Sequence, residues 1–598
     1  MGKRTAFGLL ALGLAGLGLY AYRRQIIARL LGIRPPQCAA GVEPNIRVPM
    51  PDGVGLMADH YFPKATGTFP TILIRTIYGR GDDVGPLFGY LMRFLGKRFA
   101  ERGYHVLVQT TRGRFDSEGE TEPFVDAAPD GQATIDWIVR QPWSDGQVGM
   151  WGQSYLGYVQ WAAAADPHKT PALKAIVPAI IASQASLLIY PDGAFGLDTF
   201  LRWVFLIDML DNLRNRRGLE NLRRFDPRGV ARYLDSAFMR LPIAEADVAA
   251  IGRPVSFYRE WLAHPDLTDA YWRSIDLHAR LPQVTAATHL VAGWYDLCLR
   301  GALADYAALR AAGRAPYLTI GPWAHTDLRN IVAALREGID WFDAHLIGDP
   351  RRLRKKPVRI YVMGAGREAW REMDDWPPPA KATRYFLHSE GRLETSEVSK
   401  TLRSAPLGSE VLSPDCYRYD PADPTPSVGG PLLMAPSGPM DNRALEARPD
   451  VLTYTTPALK RDVEVIGTVR LELFVQSSLA HTDFFGRLCD VHPDGRSINI
   501  CDGLIRIKPE GGAVGGPAPA RQPDGVLRIE IDMWATAHRF RRGHRIRLQV
   551  SSGAHPRWSR NLGTGEPIAT GTKMLVADQT VYHDADHRSA LVLPIVAL

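Results

Sequence analysis

The chain is poor in cysteine and in the signatures of nucleotide and metal chemistry. Its five cysteines, Cys38, Cys298, Cys416, Cys489 and Cys501, are odd in number, widely spaced and without a Cys-x-x-Cys pair, so neither a disulfide framework nor a zinc pattern follows. Only Cys489 and Cys501 are placed to meet, should they fall on neighbouring strands. There is no P-loop, no dinucleotide fingerprint and no internal repeat, and no cofactor is expected. Charge of one sign is also scarce: 71 Lys and Arg against 64 Asp and Glu leave a formal +7 over 598 residues. Nothing here resembles the basic field of a nucleic-acid-binding protein, so no nucleic-acid partner is expected. The two dense basic runs, Arg351 to Lys356 and Arg539 to Arg547, read as a solvated linker and as a β-turn with its arginines on the solvent face.

What is present is apolar material, 45% of residues with 23% charged, over a length that calls for two to about four units. From Thr71 to His345, strand-like runs (Thr71–Thr76, His105–Gln109, Val148–Trp151, Ala175–Ala179) alternate with helical patterns (Leu91–Arg102, Gly131–Arg140). That alternation predicts an α/β fold built on a parallel sheet. Between Pro191 and Arg280 the apolar positions recur at helical spacing, as in Phe200, Leu201, Trp203, Val204, Phe205, Leu206, Met209 and Leu210, which predicts an inserted helical cap. Beyond Lys356 short alternating runs, Val463–Val475, Leu527–Trp534 and His544–Val550, are separated by Pro, Gly and Asp turns and predict an all-β sandwich.

Within this frame the segment Met150-Trp151-Gly152-Gln153-Ser154-Tyr155-Leu156-Gly157 carries the chemistry. A serine on a sharp strand-to-helix turn projects its hydroxyl outward, and the amide after it is placed to meet an oxyanion. Ser154 is the candidate nucleophile, although Leu156 stands where the common elbow has its second glycine; the plainer reading is a serine that caps a helix. A nucleophilic serine needs a base and an acid, which follow it as acid then base in α/β-hydrolases. The run Thr288–Gly293 ends in Trp294-Tyr295-Asp296, and the run Pro316–Ile320 ends in Gly321-Pro322-Trp323-Ala324-His325. Asp296 and His325 therefore sit just past predicted strands, joined by a helical pattern from Gly301 to Ala312. Upstream, Thr71–Thr76 opens into Ile77-Tyr78-Gly79-Arg80-Gly81, the chain position of an oxyanion loop, where Tyr78 offers a hydroxyl beside the amide of Tyr155.

The series Tyr78-Gly79-Arg80-Gly81, Thr111-Arg112-Gly113 with Ser117-Glu118-Gly119, Gly152 to Gly157, Gly293 to Asp296 and Gly321 to His325 resembles the motifs of the X-prolyl dipeptidyl-peptidase, cocaine esterase and α-amino-acid ester hydrolase superfamily, from about residue 45 to the C-terminus. The resemblance implies a serine hydrolase with an α/β-hydrolase core (45–190 and 281–348), a helical cap (191–280) and a C-terminal jelly-roll sandwich (357–598). It implies Ser154, Asp296 and His325 as the triad, with the Tyr78 hydroxyl and the Tyr155 amide as the oxyanion hole. Two departures stand out. Leu297-Cys298-Leu299 follow Asp296, where the amino-ester hydrolases carry acids for the substrate ammonium. Gln109-Thr110-Thr111 precedes Arg112, where relatives have an aspartate, which puts a local contact of Arg112 in question. Asp192 and Asp198 remain as acids for such a role, Asp192 being the candidate substrate-binding residue; their plainer reading is as solvent-facing turn and N-cap acids.

The expected function is hydrolysis of esters or amides of small acyl groups through an acyl-enzyme, on a small-molecule ester or peptide substrate. An X-Pro dipeptidyl-peptidase and a non-catalytic membrane-tethered binder are the alternatives. The run Ala6–Tyr22, flanked by Lys3-Arg4 and Arg23-Arg24, reads as an uncleaved membrane anchor within an N-terminal segment 1–35; cleavage would instead make the protein secreted or periplasmic. Oligomeric state, a homo-oligomer included, stays open.

Overall fold

The structure, a computed structural model, describes residues 22–597 apart from 82, 84, 167, 169, 215–233, 367–368, 396–412, 510–512 and 515–517. The expected anchor, residues 6–22, lies outside the described residues except for Tyr22. No helix among the described residues is long and apolar enough to cross a membrane. The chain divides into two units: Met1–Ala179, Gln283–His289 and Leu328–Arg354 form the first, and Ile180–Pro282, Leu290–Asp327 and Lys355–Leu598 the second.

The first unit is a twisted sheet with covering helices. Its strands are β1 (Ala40–Pro49), β2 (Gly55–Pro63), β3 (Phe69–Thr76), β4 (His105–Thr110), β5 (Ser144–Gln153) and β6 (Leu173–Ala179), in spatial order β1-β2-β4-β3-β5-β6. The first two pairings, β1 with β2 and β2 with β4, are antiparallel. Those of β3 with β4 and β5, and of β5 with β6, are parallel. Parallel neighbours need crossover connections, and these are α1 (Gly85–Ala100), α2 (Ala127–Val139) and α3 (Tyr155–Ala164). Because helices cover the sheet, β4 is buried at every position without alternation, its polar His105, Gln109 and Thr110 included. Every residue of α3 is buried. Its one long polar side chain, Gln160, donates to the carbonyls of Gly152 and Leu156 at 3.1 and 3.0 Å. The helix Leu328–Phe342 packs on this layer, and Trp151 Nε1 donates to the Ala334 carbonyl at 2.9 Å.

The aspartate missing before Arg112 is replaced from α2. Arg112 donates to Asp130 at 2.6 Å and to Asp52 at 2.7 Å, and the buried Arg75 donates to Gln109 at 3.0 Å and lies 3.5 Å from Asp130. The glutamine that stands in the strand therefore orients Arg75, while Asp130 carries the charge.

The second unit begins with the inserted helices. Among the described residues the longest is α4 (Leu197–Arg214), followed by the short helices Ala246–Ile251, Ser256–Ala263 and Ala270–Ile275. Then come β7 (Ala287–Tyr295), whose last six residues belong here, α5 (Leu299–Ala311) and β8 (Tyr317–Ala324). Next, β9 (Val358–Tyr361) pairs in parallel with β8, and β10 (Trp370–Met373) pairs with β9 as a hairpin. Residues 358–373 therefore extend the sheet of β8, where the sequence reading had already begun the sandwich; short edge strands carry the same period-2 signal as sandwich strands.

Beyond residue 380 the described residues are mostly β, with a short helix at Arg443–Glu446. The strand Val463–Ser477 runs antiparallel to Leu527–Phe540 from Val463 opposite Phe540 to Val475 opposite Leu527. The strand Thr482–Val491 lies between Ser497–Ile507 and Arg545–Ser551. Cys489 faces Asn499 and Cys501 faces Leu488, so the two cysteines are out of register, and all five are free.

Most residues of both basic runs are exposed as the sequence suggested, Arg351, Arg352, Lys355, Lys356, Arg541, Arg542 and Arg545 among them, but several arginines also find carboxylates. Arg354, 9% exposed in its side chain, pairs with Glu337 at 2.7 Å, and Arg352 pairs with Asp340. In the second run a turn does form, with φ +86° at Gly543. Its flanking arginines are nonetheless engaged: Arg539 with Glu464 at 2.8 Å, Arg547 with Glu446 at 2.5 Å. Each run has carboxylates within reach that only the fold supplies.

Within the second unit the segment from Pro191 to Asp198 docks on the β strands. Trp558 Nε1 donates to the Pro191 carbonyl at 3.1 Å, the backbone amides of Asp198 and Ser559 donate to Pro556 and Phe195 at 2.8 Å each, and Ala194, Phe485, Leu504, Ala554 and Trp558 form a buried apolar cluster.

Candidate active site

Ser154 occupies the turn from β5 to α3 with φ 53° and ψ −127°, a conformation that costs a non-glycine residue about 1–3 kcal/mol. The neighbours hold it there. Its amide donates to the Ala179 carbonyl of β6 at 2.9 Å, and its carbonyl accepts from Gly157 and Tyr158 at 2.7 and 3.1 Å, starting the helix. A Cβ on Gly152 would stand 2.4 Å from Leu156 Cβ, so the glycine two places before the serine is obligatory. Ser154 makes no side-chain capping bond to α3, which sets aside its reading as a plain N-cap.

In the same unit Tyr78 follows β3, half-buried, its amide donating to Thr76 Oγ1 at 3.0 Å. The loop is anchored by the buried Arg80, which reaches Asp59 at 3.2 Å and Asp83 at 3.1 Å. Tyr155, the residue after the serine, opens α3. Burial pushes its phenol up to about 12, and Tyr78 lies near enough to add to that rise. The Tyr155 side chain is therefore a neutral group that accepts the Phe124 amide at 3.4 Å.

The second unit holds Asp296 and His325. Asp296 ends the turn after β7 and is fully buried, and His325, 6% exposed, follows β8. His325 Nδ1 lies 2.7 Å from Asp296 Oδ2, and the other oxygen accepts the Cys298 amide at 2.7 Å. Both oxygens of the carboxylate are thus engaged, one by the ring of His325 and the other by a backbone amide. The close approach of the two strand ends depends on Gly293, where a Cβ would meet the Trp323 carbonyl oxygen at 2.3 Å.

Asp296, Cys298 and His325 also place donor atoms within 4.8 Å of one another, as a metal site would. Burial, reinforced by Asp296, holds the Cys298 thiol well above its ordinary range, so Cys298 is a protonated thiol rather than a thiolate ligand or rival nucleophile.

Next to this acid lies a recess lined by Leu187, Leu188, Asp192, Leu297, Arg300 and Trp534. Asp192 and Asp198 are not the solvent-facing acids of the plainer reading, since each is 1% exposed. Arg300 Nη1 donates to Asp192 at 2.5 Å and Arg202 Nε to Asp198 at 2.5 Å. Burial raises Asp192 to about 6 against the pull of Arg300, and it raises Asp198 too. Arg300 and Trp534 were not read from the sequence. A cation four residues past the acid, in the first turn of a predicted helix, is a signal that could have been followed for Arg300. No local pattern could bring Trp534 across more than two hundred residues.

The structure thus assembles Ser154, Tyr78 and Tyr155 in the first unit and joins His325 to Asp296 in the second. The model of the X-Pro dipeptidyl-peptidase (S15) family matches residues 52–327, and that of the X-Pro dipeptidyl-peptidase C-terminal non-catalytic domain matches residues 353–592. A cocaine esterase from Rhodococcus sp. (strain MB1 Bresler) is 37% identical over 585 residues, covering 93% of this chain and 98% of its own. Among solved structures, an aminopeptidase from a marine sediment Thaumarchaeota archaeon is similar at TM-score 0.74 and 25% identity over 94% of this chain and 97% of that one. An α-amino-acid ester hydrolase shares the fold at TM-score 0.76 and 23% identity, with the same coverage.

Proposed function

We propose, from the premise that this chain belongs to the X-Pro dipeptidyl-peptidase and cocaine esterase superfamily of serine hydrolases, that Ser154, His325 and Asp296 act as one triad on esters of small, neutral acyl groups. His325 Nε2 takes the Ser154 proton, Ser154 Oγ bonds to the carbonyl carbon, and the oxyanion is received by the Tyr78 hydroxyl and the Tyr155 amide. His325 then returns the proton to the departing alcohol. Water, deprotonated by the same imidazole, attacks the acyl-enzyme and frees the acid. The chain order of nucleophile, acid and base, the strained serine turn and the bond between His325 and Asp296 support these roles.

The observation that carries the preference for neutral acyl groups is Arg300 on Asp192. A carboxylate already compensated by a guanidinium gains little from a second cation, and burying an ammonium without a partner costs several kcal/mol. Leu297 and Leu299 supply no further acid. The test is a panel of aryl esters, amino-acid esters and X-Pro-nitroanilides assayed with wild type and Ser154→Ala. Neutral esters should be hydrolysed best, with activity and fluorophosphonate labelling lost in Ser154→Ala. Faster turnover of X-Pro-nitroanilides would install the dipeptidyl-peptidase reading, which the family match favours, in its place. The non-catalytic binder is set aside by the family match to enzymes.

Residues 6–22 are proposed to tether the chain to a membrane, on the strength of their apolar run and basic flanks alone. Retention of the full chain in the pellet after alkaline carbonate extraction supports this; release, or an N-terminus beginning beyond residue 22, overturns it.

A further inference from the structure

We propose that Asp490, His492 and His544 form a binding site for one divalent transition-metal ion of the zinc class, within the β domain and apart from the triad. Asp490 is the penultimate residue of the strand Thr482–Val491, and His492 is the first residue beyond that strand. The neighbouring strand pairs Val491 with Arg545, and one step further along this register His492 stands opposite His544. Their rings lie 4.5 Å apart, centre to centre. One carboxylate is the focus of three imidazoles. His544 Nδ1 is 2.8 Å from Oδ1, while His538 Nε2, from the strand Leu527–Phe540, is 3.0 Å from Oδ2 and His492 Nε2 is 3.9 Å from it.

Hydrogen bonding explains two of the three. His492 Nε2 is beyond bonding distance of Asp490, yet it faces the same carboxylate, while its Nδ1 is approached by Arg496 at 3.5 Å. The Arg496 charge is offset by Asp494 at 2.7 Å. The donor atoms of Asp490, His492 and His544 all lie within 4.8 Å of one another. Tetrahedral ligands at about 2.0–2.1 Å from zinc stand roughly 3.3 Å apart, so small side-chain rotations close the site. Two imidazoles and a carboxylate select Zn²⁺ or Ni²⁺ over Mg²⁺ or Ca²⁺, which prefer all-oxygen sets. Binding moves the His544 proton from Nδ1, where the ion takes its place, to Nε2; His492 likewise shifts its proton from Nε2 to Nδ1, Arg496 staying with Asp494, and the ion takes Nε2. His538, donating to the second carboxylate oxygen, orients the acid from the facing strand, an outer contact that metal sites commonly use. His492 and His544 retain 29% and 14% exposure in their side chains, which leaves an entry path from solvent. The ion would clamp two strand ends, a role in stability rather than in hydrolysis.

The experiment uses the untagged full chain, stripped with a chelator and titrated with Zn²⁺ by calorimetry, with Co²⁺ spectra in parallel. Wild type should bind one ion that is lost in both His492→Ala and His544→Gln. Its melting temperature should rise with Zn²⁺ concentration, and its Co²⁺ spectrum should lack thiolate charge transfer. Metal-free wild type and His492→Ala should hydrolyse a neutral ester at equal rates. Equal zinc stoichiometry in wild type and His492→Ala, or no binding by wild type, overturns the proposal. So does an ion lost in Cys298→Ser but kept in His492→Ala, which would assign the binding to the cluster beside the triad.

Discussion

His325 Nδ1 and Asp296 Oδ2 stand 2.7 Å apart, and the acid's second oxygen is tied to the Cys298 amide at the same distance. The carboxylate can neither swing away nor choose another partner, so it fixes which imidazole nitrogen carries the proton. Asp296→Asn keeps the shape but favours the wrong tautomer. Turnover on a neutral aryl ester should fall by about 10⁴-fold with the melting temperature nearly unchanged. A loss under tenfold in a folded variant would remove Asp296 from the mechanism.

Tyr78→Phe deletes a single hydroxyl from a loop anchored independently by Arg80. If that hydroxyl receives the oxyanion, kcat should drop by roughly 10²–10³-fold while KM changes little. Steady-state kinetics decide the point, and an equal change in KM alone would make Tyr78 a binding residue.

The backbone of Ser154, at φ 53°, stores strain that glycine does not feel. Ser154→Gly should be inactive yet more stable, by about 1–3 kcal/mol less the entropy glycine adds to the unfolded chain. Denaturant melts would show it, and a destabilised glycine variant would mean the turn is unstrained.

Asp192, raised to about 6 from 3.8 by burial, makes stability depend on pH. Between those values the folded chain holds a proton that the unfolded chain has released, so unfolding free energy falls as pH rises from about 4 to 6 and levels off above. Asp192→Asn should remove that slope, worth a few kcal/mol at most. A wild type and variant whose stabilities run parallel over this range would contradict the burial of an ionisable acid there.

Removing the Arg300 charge should loosen selectivity. Arg300→Gln leaves Asp192 without its cation, which destabilises the fold by about 3–5 kcal/mol but frees the acid for an ammonium. The ratio of amino-ester to neutral-ester hydrolysis should rise by tenfold or more. An unchanged ratio would show that the recess does not meet the acyl group.

Much of the site was legible because its chemistry sits at fixed offsets from strands. Gly152 and Ser154 could be read from the chain since a turn this tight excludes a Cβ at Gly152, and Asp296 and His325 since each follows an apolar run. The misreadings share one cause. Asp192, Asp198 and Arg354 looked solvated because charged residues usually are. Arg300, the partner of Asp192, lies far along the chain, and Glu337 meets Arg354 only once the helix Leu328–Phe342 is packed, whereas Arg202 stands one helical turn from Asp198 and could have been followed from the chain.

By itself the sequence determined the period of each element, the order of sheet, cap and β domain, and the types of side chain available for acyl transfer, because these are set by local backbone preference and residue chemistry. Only the tertiary structure decided that Asp296 holds His325, that Arg300 neutralises Asp192, and that three histidines converge on Asp490. Electrostatic pairing depends on separations of a few ångströms across strands and helices, and such separations exist only after the chain has folded.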